Sequence, residues 1–185
     1  MSAKVKLLNS IRPASAEDAD AIAAIHSESW RMVYRGILPD GYLNHDVAEE
    51  RRRYWAAALA ESLAGSFVLV AARGHETKGF TSVARNGEPG YDALIDSLHV
   101  MPGERGAGLG RGLIGRATAR LLDEGASSVA LRVYEANEPA IRFYERLGGR
   151  RDGSGIAPFA GANMPDFRYG WRDLPALARA CDTDL

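Results

Sequence analysis

The sequence predicts a mixed α/β fold, with antiparallel strands first and a βαβ unit in the second half. Three observations predict it. The hydrophobic periods run in the order αα-ββ-β-α-β-α-β. A strand, a glycine-rich turn, a helix and a second strand follow one another from Ala93 to Tyr134, the pattern of a parallel crossover. The chain has 185 residues, 46% of them hydrophobic, enough for one core and cramped for two.

Ser15 is a helix N-cap, with Glu17 and Asp18 in the first turn, and the helix carries Ile22, Ile25 and Met32 toward a core. "RGILPDGYLN" breaks that period with Gly36, Pro39 and Gly41, and a second helix covers Val47 to Leu63. "SFVLVAAR" from Ser66 is a buried strand, "GHETKG" a turn, and "FTSVAR" the returning strand. After the turn "NGEPGYD" comes the strand Ala93 to Val100, then a glycine-rich helix closed by Gly125. The strand Ser127 to Tyr134 precedes a short helix capped by Asn137, with Pro139 in its first turn and Gly148 at its end. From Arg150 to Asp173 the chain reads as glycine-rich loop with one strand, "FRYGWRD", and Cys181 lies in a polar tail.

Composition excludes several classes. Charged residues make up 25% and the net charge is −1, so nothing favours bulk attraction to nucleic acid or membrane. One cysteine rules out a disulfide framework and a thiolate metal cluster. His26, His45 and His75 have no metal-ligand spacing, and no metal is expected. The segment "MSAKVKLLNSIRP" lacks a signal-type apolar run, and no window spans a bilayer, so the expected location is cytoplasmic.

Gly106, Gly108, Gly110, Gly112 and Gly115 crowd one helix entrance, although a helical glycine costs about 1 kcal/mol relative to alanine. A helix N-terminus has unpaired N–H groups and a positive dipole end, and glycines let a bulky phosphate approach them. Arg105 and Arg111 flank the turn. A pyrophosphate explains Gly106, Gly108 and Gly110; helix–strand packing explains Gly112 and Gly115. No lysine follows Lys78, which excludes a P-loop. Gly110 to Gly115 spell G-x-G-x-x-G, with Glu135 after the next strand, which keeps a nicotinamide-dependent oxidoreductase as an alternative. Its position, separated from Val100 by Pro102 and Gly103, is wrong for a strand-end fingerprint.

The third pattern is R-x-x-G-x-G at Arg105, Gly108 and Gly110. Together with "DSLHV", "MPGERGAGLGRG" and "NEPAIRFYERLGG", it resembles the GCN5-related N-acetyltransferase (GNAT) family over about residues 66–149, in a chain read as one such domain over 1–185. The resemblance implies the family's acyl-CoA fold and transfer of an acetyl group from acetyl-CoA to an amine, without a covalent enzyme intermediate. It implies that the main chain of Arg105, Gly106, Ala107, Gly108, Leu109, Gly110 and Arg111 holds the pyrophosphate. It further implies that the strand bearing Leu98 and Val100 is splayed and pairs with pantetheine. Tyr144 matches the family's tyrosine that protonates the leaving thiolate, with a core aromatic as the alternative, and Asn137 matches its asparagine at pantetheine.

The general base is not carried by the resemblance. Strict alternation would place Asp96 in a row with Leu94, Leu98 and Val100, where desolvation would raise its pKa toward that of a base. A bulge turning Asp96 outward is the alternative. His99, on the opposite face, stands in reserve. The family binds its acceptor near the first two helices, here with Trp30 and Tyr34, and Tyr42 beside them. Arg51 to Arg53 read as a solvated helix face. The partners implied are acetyl-CoA and an amine acceptor, a homodimer being left open; a non-catalytic CoA-binding sensor is the remaining alternative.

Overall fold

The computed structural model describes residues 9–61, 65–159 and 162–182. Seven strands, β1 (Asn9–Pro13), β2 (Ser66–Arg73), β3 (Glu76–Arg85), β4 (Ala93–Val100), β5 (Val129–Tyr134), β6 (Arg150–Phe159) and β7 (Ala162–Trp171), form one sheet in the order β1-β2-β3-β4-β5-β7-β6. Only β4 and β5 pair in parallel, through the crossover helix; the other neighbours are antiparallel. The helices are α1 (Ala19–Val33), α2 (Val47–Ala60), α3 (Leu109–Asp123), α4 (Glu138–Arg146) and α5 (Leu174–Cys181).

Alternation along the central strands builds a core on each face of the sheet. Leu69, Ala71, Val83 and Ile95 pack with Leu113, Ile114 and Leu121 of α3 and with Leu174 and Leu177 of α5. Val70 and Phe80 point the other way, onto Ile22 and Ile25 of α1 and Trp55 of α2. A sheet buried on both faces needs apolar residues at successive positions, which is why β2 reads as the run "FVLVAA".

Several expectations are corrected. β6 and α5 form where glycine-rich loop and polar tail were expected, and β1 is a strand where no element was expected. β6 contains Gly153, Gly155 and Pro158, residues that disfavour strands, and it exists as an edge strand held by β7. Asp173 caps α5 by accepting from the Ala176 N–H at 2.9 Å. That helix buries Cys181, whose thiol is pushed up to about 11 by desolvation. A methyl group on Gly115 would stand 3.0 Å from Cys181 Cβ, so Gly115 is glycine for helix–helix packing. Met32 is half exposed instead of packed in the core, because the buried stripe of α1 passes through Ile22, Ile25 and Ser29. The second helix ends at Ala60; residues 62–64 of its expected reach lie outside the described set. Among the described residues no helix is long and apolar enough to cross a membrane.

Asp18 joins β1 to α1. Its buried carboxylate accepts two hydrogen bonds from the Arg12 guanidinium, both 2.8 Å, and one from the Ser15 N–H, also 2.8 Å. The Arg12 bonds outweigh desolvation and hold the carboxyl down to about 2. A folded pKa below the unfolded value of about 3.9 stabilises the protein above pH 4, and that stability is lost as pH falls toward 2. Arg12 is partly exposed, which screens the pair, so Asp18→Asn should cost about 1–2 kcal/mol at pH 7. Urea unfolding at pH 7 and pH 3 checks this: the difference between variant and parent should shrink at the lower pH.

Candidate active site

The site begins where β4 and β5 part. Their pairing runs Ala93↔Val129, Leu94↔Ala130, Ile95↔Leu131 and stops there. On its other edge β4 pairs with β3 as Val83↔Ile95 and then Ser82↔Ser97, so Asp96 is the extra residue of a β-bulge. A bulge bends its strand and sharpens the twist, which carries β4 away from β5. Beyond it, the Met101 N–H donates to Lys78 C=O, and Ser97 C=O accepts from Thr81 Oγ1. By the alternation of a strand, Ser97, His99 and Met101 spend their main-chain groups on β3. Leu98 and Val100 therefore turn theirs into the gap, while their side chains pack on the α3 side.

The gap leads to the glycine loop. A turn of 3₁₀ helix at Pro102–Glu104 is tied to β2 by the Arg73–Glu104 ion pair, 2.8 Å. Gly106 (φ 83°) and Gly108 (φ 82°) follow, both left-handed, with Gly108 as the N-cap of α3. Alternating left-handed residues turn successive N–H groups to one side, which is an anion nest. The first bond of α3 runs from the Gly112 N–H to Gly108 C=O, 2.9 Å, leaving the N–H groups of Leu109, Gly110 and Arg111 outside the helical ladder. No acidic residue lies in that first turn. The Leu109 side chain is buried and anchors the loop, and Ala107 is exposed. The Arg105 side chain reaches away to α1, 3.5 Å from Ser29 Oγ and 3.4 Å from Met32 Sδ. Its charge therefore does not flank the nest as expected, and the Arg105 N–H donates to Pro102 C=O at 3.4 Å, as that of Ala107 does to Glu104 C=O, also at 3.4 Å. Gly110 to Gly115 lie inside α3, so the G-x-G-x-x-G sequence is not at a strand–helix turn.

A cavity of about 390 Å³ fills the start of the gap, and Asp96, Leu98, Trp30, Tyr34, Asn137 and Tyr144 all line it. Val100 and the glycine loop lie beyond it, toward the far end of β4. Asn137 caps α4, accepting from the Ala140 N–H at 3.4 Å, and its side chain favours ionisation of the Tyr34 phenol, against the larger effect of burial. Tyr144 is buried, with its ring centroid 5.4 Å from that of Phe143 and 6.2 Å from that of Trp171. It is part of the core and of the cavity wall at once. Desolvation pushes its phenol above the ordinary value, so it stays protonated. Trp30 and Tyr34 meet edge to face at 5.8 Å, and burial likewise pushes up the Tyr34 phenol.

Asp96 departs from the apolar-row expectation. The bulge turns it out of register with Leu98 and Val100; it is exposed, and its Oδ2 lies 3.4 Å from both Ser82 Oγ and Ser97 Oγ. It faces α2, near Tyr54, and lines the cavity together with His99, which the sequence had put on the opposite face. His99 sits 4.4 Å, ring to ring, from His26, whose Nδ1 accepts from Trp55 Nε1 at 3.0 Å. Desolvation, with the positive charges of Arg105 and Arg51, pushes the His99 imidazole down to about 3; it is neutral at pH 7.

Sequence reasoning missed Arg51, Arg132, Tyr134 and Asp166. Arg52 and Arg53 are exposed and paired with Glu49, as a solvated face requires. Arg51 instead turns inward, its guanidinium 5.1 Å from the Trp30 ring and 5.0 Å from that of Tyr54. A one-in-three phase along α2, set by "RRRYW", was the available signal. Arg132 gives two bonds to Glu88, both 3.0 Å, and one to Asp166, 3.1 Å, pairs between distant segments that no local period records.

Comparison with known proteins agrees with this geometry. The model of the acetyltransferase (GNAT) family matches residues 21–149, more than half of the chain. The uncharacterized N-acetyltransferase YuaI of Bacillus subtilis is 33% identical over 169 residues, covering 90% of this chain and 95% of that protein. Among solved structures, the PaiA N-acetyltransferase of Thermoplasma acidophilum, in complex with coenzyme A, superposes with a TM-score of 0.68 at 19% identity, over 89% of this chain and 99% of that one. YncA of Salmonella typhimurium, with acetyl-CoA, superposes with a TM-score of 0.63 at 22% identity, over 89% and 93%. The splayed strands, the glycine nest at α3 and the matched family model make this chain a member of the GNAT family of acetyltransferases.

Proposed function

We propose that the protein moves an acetyl group from acetyl-CoA directly to a primary amine of a small molecule or peptide. The observation that carries the reading is the continuity of an open β4 edge, Leu98 to Val100, with the N–H nest at Gly106–Arg111. An extended amide-bearing arm suits the first and a pyrophosphate the second. Acetyl-CoA has both, in that order.

In this reading the amine enters from the α1–α2 side. Asp96 draws its ammonium form in and accepts a proton, with neutral His99 in reserve. The amine nitrogen attacks the thioester carbon, and a β4 N–H in the gap stabilises the oxyanion. Collapse of the tetrahedral intermediate forms the amide and breaks the C–S bond. The departing thiolate takes the Tyr144 proton, leaving free CoA, and the second proton shed by the amine nitrogen returns to the Tyr144 oxygen through solvent. The buried thiol of Cys181, packed behind α3, offers no nucleophile to this cavity.

Calorimetric titration tests the reading. Acetyl-CoA should bind at micromolar concentration and NADH should not. Thiol release with an amine panel should then follow. Acetyl-CoA binding without turnover would make the protein a CoA-binding module; binding of NADH alone would overturn the reading.

A further inference from the structure

We propose that the acceptor is a free amino acid or a similarly small aminocarboxylate, its ammonium group on Asp96 and its carboxylate on Arg51. The inference rests on the acetyl-transfer reading and narrows the acceptor of that same site.

Asp96 and Arg51 line one cavity, the first from β4 and the second from α2. Among the described residues no cation lies within ion-pairing distance of Asp96, whose Oδ2 is 3.4 Å from two serine hydroxyls. It follows Ile95, the last residue of β4 paired with β5. An ammonium group held there stands at the mouth of the gap, where the thioester would lie.

Two arginines line the cavity, and they differ. Arg132 is neutralised by Glu88 and Asp166, with three of its nitrogens donating to carboxylates. Arg51 gives Nη2 to Glu50, which also accepts from the Tyr42 hydroxyl at 3.0 Å, while its Nε is buried without a partner. That Nε is shielded by protein, so a ligand in the cavity would meet the Nη groups. The guanidinium is held between Trp30 and Tyr54, pre-set for a planar anion. Burial pushes the Tyr54 phenol up; Asp96 adds to the effect and Arg51 opposes it, so both charges act on this one ring. A ligand with one positive and one negative group complements that pair. About 390 Å³, shared with the acyl end of the donor, suits a small molecule.

The experiment measures kcat/KM at saturating acetyl-CoA for the twenty L-amino acids. Each is run beside its primary amide and the amine that lacks the carboxylate. The parent enzyme should prefer at least one free amino acid over both analogues by about tenfold or more. Arg51→Gln should lower that value about 10- to 100-fold, a loss at least about tenfold greater than for the decarboxylated amine, and keep acetyl-CoA affinity within about threefold. Arg51→Lys, which preserves the charge and much of the packing, should retain part of the preference. Equal use of the amine or amide by the parent enzyme overturns the inference. So does a preference that survives Arg51→Gln, or acetyl-CoA binding with no amino acid acetylated. Absence of acetyl-CoA binding would instead remove the acetyl-transfer reading.

Discussion

Gly108→Asp should weaken acetyl-CoA binding by more than 100-fold while the protein stays folded. Gly108 is left-handed, φ 82°, and caps α3. A non-glycine residue there pays about 1–2 kcal/mol of backbone strain, a fraction of ordinary domain stability. Aspartate is among the non-glycine residues that tolerate the left-handed region, so the helix start survives. Its carboxylate, however, puts a negative charge among the N–H groups meant for a pyrophosphate. Two unit charges about 4 Å apart repel by about 4 kcal/mol at an effective dielectric of 20, more than two decades in affinity. Gly108→Ala separates the causes: it carries the strain without the charge and should lose tenfold at most. Calorimetry reads the affinities and circular dichroism the fold. Retained affinity in the aspartate variant would remove the nest from the binding site.

Tyr144→Phe should lower kcat about 100-fold at neutral pH, with acetyl-CoA affinity within about threefold of the parent. The substitution deletes one oxygen, and the ring keeps its contacts with Phe143 and Trp171. A residue that only packs would leave turnover unchanged. The pH profile sharpens the test. The phenol is raised above its ordinary value by burial, so it keeps its proton through the neutral range and into alkali. The thiol of CoA ionises near 8.5, so the leaving group needs that proton most below this pH. The deficit of the variant should therefore narrow as pH rises past about 8.5. Equal turnover across the whole profile would return Tyr144 to a purely structural role.

Local chemistry accounts for what was legible. The strand Ala93–Val100 and the left-handed glycines before α3 follow from neighbours within a few residues, because strand alternation and αL conformations are short-range. Asn137 and Pro139 announce α4 in the same way, since capping is settled inside one turn. From these residues the family was readable, and with it the loop proposed to hold the cofactor.

Tertiary structure decided the rest, because it depends on segments that meet across the sheet. β6 is a strand only because β7 pairs with it, whatever its glycines and proline prefer. Asp96 faces α2 because β3 and β4 differ by one residue in register, and a one-residue offset changes the face of a side chain. Arg51 turns inward because Trp30 and Tyr54 offer their rings, while Arg52 and Arg53 find Glu49 at the surface. The sequence by itself determined that a helix would begin with a nest of N–H groups; packing alone decided which charges would line the cavity at the near end of the open strand.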